Sequence, residues 1–529
     1  MFILHGELMK ATSHEGKTLR FSKMVSEIPS HITRGWVLGI IAFAAYVSEL
    51  PVKNSLSNYD TGVYVTAAFH LSHGLLPYRD FTFVQPPGIL YFLLAACPYG
   101  FMGSSATALL FSKVTMCAVS SVNVVLLFRL VRPQGRWIAS LAAIAFAFLP
   151  TMIFETDSVK IEPLVTFFLL LALNQFKNLT NLREISDRQL VHCGILIGLA
   201  TSVKYWAAIP AAVLFTVLLF RLQKRVWRFV AAALLAFFAL CSPFLLNDGA
   251  DFIRETITAQ LSRNALSGWQ VPIWTRMIYV LGSSTPSLEP SIGLVVLLAF
   301  EIAAAVFAGY LLKRKRSILE LLTLWITAAA LIFVLLLPEW FPYYATFCAP
   351  FLIATASFAI GGVAEGISRL SSAQKIYQRI DRPWRLFGVV ALLVLGTVMH
   401  RTWADAYQSG SASFNAPVET IAKKIPAQDC VVFDVAYYAL ESNRLSEFPK
   451  CPIIVDAGGM ELVQNSRHSL SLTNSTSAWI GIFQQAKFVV LETANSPFIP
   501  WSDNLSKYFN SHFTLVNPGE PLLVFQRKN

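Results

Sequence analysis

The residue types best suited to chemistry gather in one polar stretch. It reads Tyr59-Asp60-Thr61-Gly62-Val63-Tyr64, then His70 and His73, then Pro77-Tyr78-Arg79-Asp80-Phe81 and Gln85-Pro86-Pro87-Gly88. A carboxylate, a guanidinium, aromatics and turn residues set between hydrophobic runs suit a site at a membrane face. Asp60 has two readings: it caps the helix that the pattern predicts as far as His73, or it is a catalytic carboxylate. Glu155-Thr156-Asp157 repeats the choice further on. These acids either favour the N-terminal dipole of the helix predicted over 158–176, or form a carboxylate pair facing Asp60. In the second reading Asp60 and Asp157 supply hard oxygen ligands for a divalent cation. Lys113, Lys160 and Lys204 stand inside or beside apolar runs. Lysines there either snorkel to the interface or turn inward, where they and Arg79 would hold a phosphate. Gln260 and Arg263 are candidates for sugar or phosphate contacts, and Tyr343 and Tyr344 fit the interfacial belt. His70 and His73 lack a firm third ligand, so a metal site there is the weaker reading.

These residues need a frame, and composition says which kind. The chain has 529 residues, 55% of them hydrophobic and 14% charged, with a mean hydropathy of +0.55. That apolar content defines a polytopic membrane protein. Apolar segments are predicted at 35–50, 86–102, 106–128, 137–154, 158–176, 189–203, 205–220, 229–246, 291–312, 317–337, 342–363 and 385–401. The formal charge of +11 comes from basic clusters between them. All of those clusters are cytoplasmic by the positive-inside rule if 86–102 does not cross. That segment opens on Pro86-Pro87 and is broken by Pro98 and Gly100, which predicts a re-entrant or interfacial helix. About 11 crossings follow, after a cytoplasmic tail over 1–34. The acidic loops, including 247–290, then share the outer face. No basic-aromatic nucleic-acid motif occurs, and the first apolar run lacks a cleavage site, so it reads as a retained span.

The membrane domain extends over 35–402. From 403 to 529 the hydropathy falls to that of a small α/β extracytoplasmic domain, with parallel strands predicted at Cys430–Asp434, Pro452–Asp456 and Phe488–Glu492 and a closing hairpin around Asn517-Pro518-Gly519. Five cysteines lie in apolar segments. Cys430 and Cys451 remain, as a disulfide if the domain is outside or as two buried thiols.

Taken in order, these motifs resemble the GT-C superfamily of polyprenyl-phosphate-sugar-dependent glycosyltransferases. The nearest branch is similar to bacterial relatives of protein O-mannosyltransferases, the lipid A aminoarabinose transferases and the lipopolysaccharide-core galacturonosyltransferases. Tyr59–Tyr64 resembles the first-loop acidic motif, and Pro77–Phe81 with Pro86-Pro87-Gly88 resembles the rest of that loop. Phe111-Ser112-Lys113 resembles a basic residue opening the next span. Asp157 before Glu162-Pro163 resembles the second-loop acid, and Gly194 to Lys204 a glycine-rich span ending in Lys. Phe341-Pro342-Tyr343-Tyr344 resembles a late His-Tyr motif, with Tyr343 where many relatives have His; Gln85 likewise stands where some have His or Lys.

The resemblance implies an inverting transferase that moves a sugar from a polyprenyl-phosphate donor to a hydroxyl of an envelope lipid, glycan or protein, at the outer face of the cytoplasmic membrane. Asp60 would be the base. Asp157 and Glu155 would orient the acceptor or a divalent cation, and Arg79, Lys113, Lys204, Arg263 and Tyr344 would hold the donor. The sugar stays open. A transporter or flippase is the rival; it would show internal pseudo-symmetry and polar residues at mid-bilayer, whereas the sequence has no repeat and its ionisable residues gather at one face.

Overall fold

The computed structural model describes residues 35–50, 59–97, 104–149, 151–153, 158–177, 179, 181–265, 271–280, 302–311, 317–368, 421, 423–445, 451–466, 472–519 and 522–528. The expectations for Glu155 and Asp157, for the tail over 1–34, and for the segments at 291–301 and 385–401 lie outside these residues.

Helix α1 (Gly35–Glu49) enters the membrane domain. Helix α2 (Tyr59–Ser72) carries Asp60 in its first turn and is buried along most of its length, Thr61, Thr66 and His70 included. Gly74, at φ +86°, turns the chain into the polar loop that ends at Pro87. Helix α3 (Gly88–Ala96) has nine residues. It rises only about 14 Å, against the ~30 Å of a hydrocarbon core.

Helices α4 (Ser105–Val131), α5 (Arg136–Ala147), α6 (Glu162–Asn174), α7 (Asp187–Val203), α8 (Ala208–Leu222) and α9 (Val226–Ile253) follow. Their ends have local causes. Ser104 caps α4, a Ser186/Gln189 capping box starts α7, and Pro163 occupies the first turn of α6. Lys204, in extended conformation, breaks α7 from α8. The glycines of α7 serve packing. A Cβ at Gly194 would fall 2.3 Å from Phe229 O, and one at Gly198 2.2 Å from Ala233 O, so α7 and α9 touch backbone to backbone. The expected outer loop after 246 is helical as far as 261. Helix α9 bends at Asp248 and passes into a π-turn over Arg254–Thr258. Helices α10 (Ile273–Val280), α11 (Ile302–Leu311), α12 (Ile318–Leu336) and α13 (Ala345–Ser368) complete the described membrane part. Among the described residues, four helical stretches are long and apolar enough to cross a bilayer: Ser105–Gln134, Tyr205–Leu261, Ile318–Leu336 and Pro342–Glu365. The chain is a multi-pass membrane protein.

The C-terminal domain holds a four-stranded sheet in the order β1-β2-β4-β3: β1 (Val431–Phe433), β2 (Phe488–Leu491), β3 (Phe513–Leu515) and β4 (Leu523–Arg527). β1 and β2 are parallel, with Val432 opposite Val489, and β4 pairs antiparallel with β2 and β3. The middle strand expected at 452–456 does not join the sheet; Pro452 has no N–H to give a ladder. Strand alternation explains how the domain sits. Val431, Phe433, Phe488 and Val490 belong to the same apolar core as the membrane helices. Val432, Val489 and Leu491 face away, into a second core with Trp479, Phe483 and Phe509. Cys430 and Cys451, whose Cα atoms lie 5.3 Å apart, form a disulfide.

Candidate active site

The site lies where the first turn of α2, the segment before α6, the end of α7 and the start of α13 meet beneath the C-terminal domain. Lys160 Nζ donates to Asp60 Oδ2 at 2.6 Å. The lysine side chain is only 2% exposed, and the carboxylate keeps 24%. Lys160 has therefore turned inward instead of snorkelling, and its ammonium lies 4.2 Å from the Tyr343 ring centroid. One position on from Asp60, Thr61 Oγ1 accepts from Val159 N at 2.9 Å. Two adjacent contacts thus tie α2 to the segment carrying Lys160.

A second pair lies beside the first. Lys204 Nζ donates to Glu162 Oε1 at 2.5 Å and sits 3.5 Å from the Trp206 ring and 4.9 Å from that of Tyr344. The break between α7 and α8 is what aims Lys204 inward. Arg263, just past the π-turn, donates from Nη1 to Glu339 Oε2 at 2.9 Å. Buried atoms in this region with no hydrogen-bond partner among the described residues include Glu162 Oε2 and Arg263 Nε. An orphaned acceptor and an orphaned donor inside a polar cluster are what a substrate would satisfy.

Burial pushes the Asp60 carboxyl up, but the Lys160 ammonium outweighs it, helped by Lys204 and Arg263 further off. The group ends below its ordinary value and is ionised at neutral pH. It is a persistent anion within a ring of cations. Asp456 of the C-terminal domain goes the other way, raised by burial despite the Tyr59 and Gly459 donors.

The first loop is strapped down by the π-turn region. Glu255 Oε2 accepts from Phe83 N at 2.9 Å, and Gln260 Nε2 donates to Val84 O at 2.5 Å. Tyr78, at φ 70°, donates from its hydroxyl to Gln85 O at 2.7 Å. π-turns recur at functional sites, and here one aims two polar side chains at the loop following Asp60.

The structure thus brings together Asp60, Lys204, Arg263, Tyr343 and Tyr344, which sequence patterns single out. Arg79 is engaged elsewhere: its side chain is 47% exposed and pairs with the adjacent Asp80. Lys113 is buried and donates to the Tyr437 hydroxyl of the C-terminal domain at 3.3 Å. His70 is buried against Phe69 and Phe81, and His73 bonds the Phe69 carbonyl. Among the described residues no three His, Cys, Asp or Glu side chains converge to hold a metal ion. Sequence reasoning passed over Glu162, Glu255, Glu339 and Asp456 as site components. Glu162 and Glu339 had a signal in their place beside span ends; Asp456 had one in closing a strand-like apolar run.

The frame has the fold seen in GT-C glycosyltransferases. It is the fold of ArnT from Cupriavidus metallidurans. The structure of ArnT bound to undecaprenyl phosphate aligns at a TM-score of 0.59 and 13% identity, covering 93% of this chain and 98% of ArnT. The apo ArnT structure aligns at 0.57 and 14% identity, covering 93% and 97%. The oligosaccharyltransferase AglB from Archaeoglobus fulgidus, in complex with an inhibitory peptide and a dolichol-phosphate, aligns at 0.49 and 15% identity, covering 94% and 74%. The likeness at these identities is one of fold. No protein-family model matches the sequence, and no curated protein matches it in sequence.

Proposed function

We propose that the protein is an inverting glycosyltransferase that uses a polyprenyl-phosphate-linked sugar. The observation that carries this reading is the buried cluster in which an ionised Asp60 is ringed by Lys160, Lys204 and Arg263 within a GT-C fold. Such a reaction needs an anion to receive the acceptor proton and cations to steady the leaving phosphate. The acceptor hydroxyl approaches C1 of the sugar from the side opposite the phosphate. Its oxygen bonds to C1 as the C1–O bond to the phosphate breaks, and its proton passes to Asp60. The phosphate leaves with the electron pair and stays on its lipid. One displacement inverts the anomeric centre.

Each cation holds a carboxylate: Lys160 holds Asp60, Lys204 holds Glu162, and Arg263 holds Glu339. Donor binding redirects Lys204 and Arg263, whose Nε is the orphaned donor, toward the phosphate. Tyr344 lies over Lys204 and contributes to the same wall. Asp157 and Glu155 orient the acceptor. A divalent cation at Asp60 would share the carboxylate with Lys160, which holds Oδ2. The acceptor is a hydroxyl of an envelope lipid, glycan or protein. The site faces the outside of the cytoplasmic membrane, with the N-terminus inside and the C-terminal domain outside.

The test is transfer by the purified full-length protein in lipid from a panel of polyprenyl-phosphate sugars, wild type beside Asp60→Asn. Loss of one general base costs about 10²–10⁴-fold in rate, so consumption of one donor by wild type should fall by that factor in the folded variant. Equal consumption by both would move the base to another carboxylate, and consumption of no donor by wild type would end the transferase reading.

A further inference from the structure

The residue before Asp60 reaches across the molecule. Tyr59 donates from its hydroxyl to Asp456 Oδ1 at 2.7 Å and accepts from Gly458 N at 2.6 Å. Its ring stacks on Phe498 with centroids 4.2 Å apart. Both partners of the hydroxyl belong to one turn of the C-terminal domain, where Asp456 Oδ1 also accepts from Gly459 N at 2.7 Å and so caps helix α15 (Ala457–Ser466). The helix before it, α14 (Ala436–Glu441), presses on α2 at Gly62, where a Cβ would fall 2.3 Å from Tyr437 N. Residues 59, 61 and 62 are therefore each held from outside α2: Tyr59 by Asp456 and Gly458, Thr61 by Val159, Gly62 by Tyr437. Asp60 sits in the middle of this held run.

We propose that Asp456 is a positioning residue for transfer: through Tyr59 the C-terminal domain fixes the start of α2, and with it the direction of the Asp60 carboxylate. The claim rests on the glycosyltransferase reading above for its effect on rate, while the clasp itself stands on the geometry. The plain alternative gives Asp456 a local duty as the cap of α15. The two differ at Tyr59, because Tyr59→Phe leaves the cap intact and keeps the ring on Phe498.

The experiment compares wild type, Tyr59→Phe, Asp456→Ala, Asp456→Asn and the double variant Tyr59→Phe/Asp456→Ala, as full-length protein in lipid, with the donor that wild type consumes. Misplacing a catalytic group by about 1 Å costs up to roughly 100-fold. Tyr59→Phe and Asp456→Ala should each lower kcat by about tenfold or more, with donor KM moving less than about threefold. Asp456→Asn keeps an oxygen for the Tyr59 hydroxyl and should recover most of the rate. The double variant should be no slower than the slower single to within a few-fold, since the Tyr59–Asp456 bond is lost in each single already. Wild-type kcat in Tyr59→Phe, or additive losses in the double variant, would overturn the clasp. A second readout needs no turnover: amide hydrogen exchange over 59–66 should quicken in Tyr59→Phe and Asp456→Ala. If wild type consumes no donor, the function fails on its own account and exchange alone decides the clasp; unchanged exchange would sink it.

Discussion

Lys160 and Lys204 show how a costly residue becomes useful. A buried ammonium is tolerated only when paired, and each of these finds a carboxylate and an aromatic face. Neither could be told from a snorkelling lysine by its place in the sequence, because both stand near segment ends, and only packing decides the direction of so long a side chain. A different buried acid gives a prediction about pH. Asp434 closes β1, accepts from Glu492 N at 3.1 Å, and is pushed up to about 7 by burial against its hydrogen bonds from Ser496 and the backbone. A carboxyl raised in the folded state favours folding while it is protonated. That contribution is complete below the ordinary carboxylate value near 3.9 and is lost as pH rises through about 7. Thermal melts of the purified protein should therefore show stability falling between about pH 4 and 7. Asp434→Asn should flatten that slope and melt higher at pH 8, by an amount bounded at roughly 4 kcal/mol for three units. A slope unchanged by the substitution would assign the pH dependence to other groups, Glu492 first.

Much of the architecture was legible in the sequence, and what was not depended on long-range fit. Run length and hydropathy locate α4, α7, α8, α12 and α13 to within a few residues, because a bilayer imposes its own thickness on a helix. Pro86-Pro87 marks where α3 begins, at Gly88. The hairpin of β3 and β4 follows from Asn517-Pro518-Gly519, where the Asn517 side chain bonds both Leu522 O and Val524 N. Two features gave no local sign, the helical continuation beyond 246 and the π-turn, whereas Pro452 was a local sign against the middle strand. The π-turn matters most, since it delivers Glu255 to Phe83 N. Glu255→Ala would leave that buried N–H without a partner, at a cost of about 1–3 kcal/mol, and would loosen the loop that follows α2. Glu255→Gln keeps an oxygen for the same N–H. Transfer activity should drop by about tenfold or more in the alanine variant, the rate equivalent of 1.4 kcal/mol, and survive within a few-fold in the glutamine variant. Equal loss in both would mean that the charge of Glu255, and not its hydrogen bond, is what the loop requires.

At the level of the whole chain, the C-terminal domain and the membrane domain share one hydrophobic core. One face of β1 and β2 packs among residues contiguous with α2 and α4, and Ser105 at the start of α4 bonds Leu440 O and Asn443 Oδ1. Lys113, two turns further along α4, donates to Tyr437. These contacts make the domain a fixed wall above Asp60. The disulfide bears on the same point, because it closes a loop of 21 residues between β1 and the turn that holds Asp456. Cross-linking a loop of that size removes about 3 kcal/mol of chain entropy from the unfolded state. Such a bond persists in an oxidising compartment, so it predicts an outer location for the domain. Both statements can be checked on Asn510, which is exposed on helix α17 (Asp503–His512), counting α16 as Leu472–Gln485. In intact cells an impermeant maleimide should label Asn510→Cys without permeabilisation, while Cys430 and Cys451 stay unlabelled until a reductant is added. After reduction, Tyr59 should lose part of its hold, and transfer should weaken together with the thermal stability of the domain. Labelling of Asn510→Cys only after the membrane is breached would place the domain in the cytoplasm. The basic clusters would then face outward against the positive-inside rule, and the proposed use of an outer-leaflet donor would fall with them.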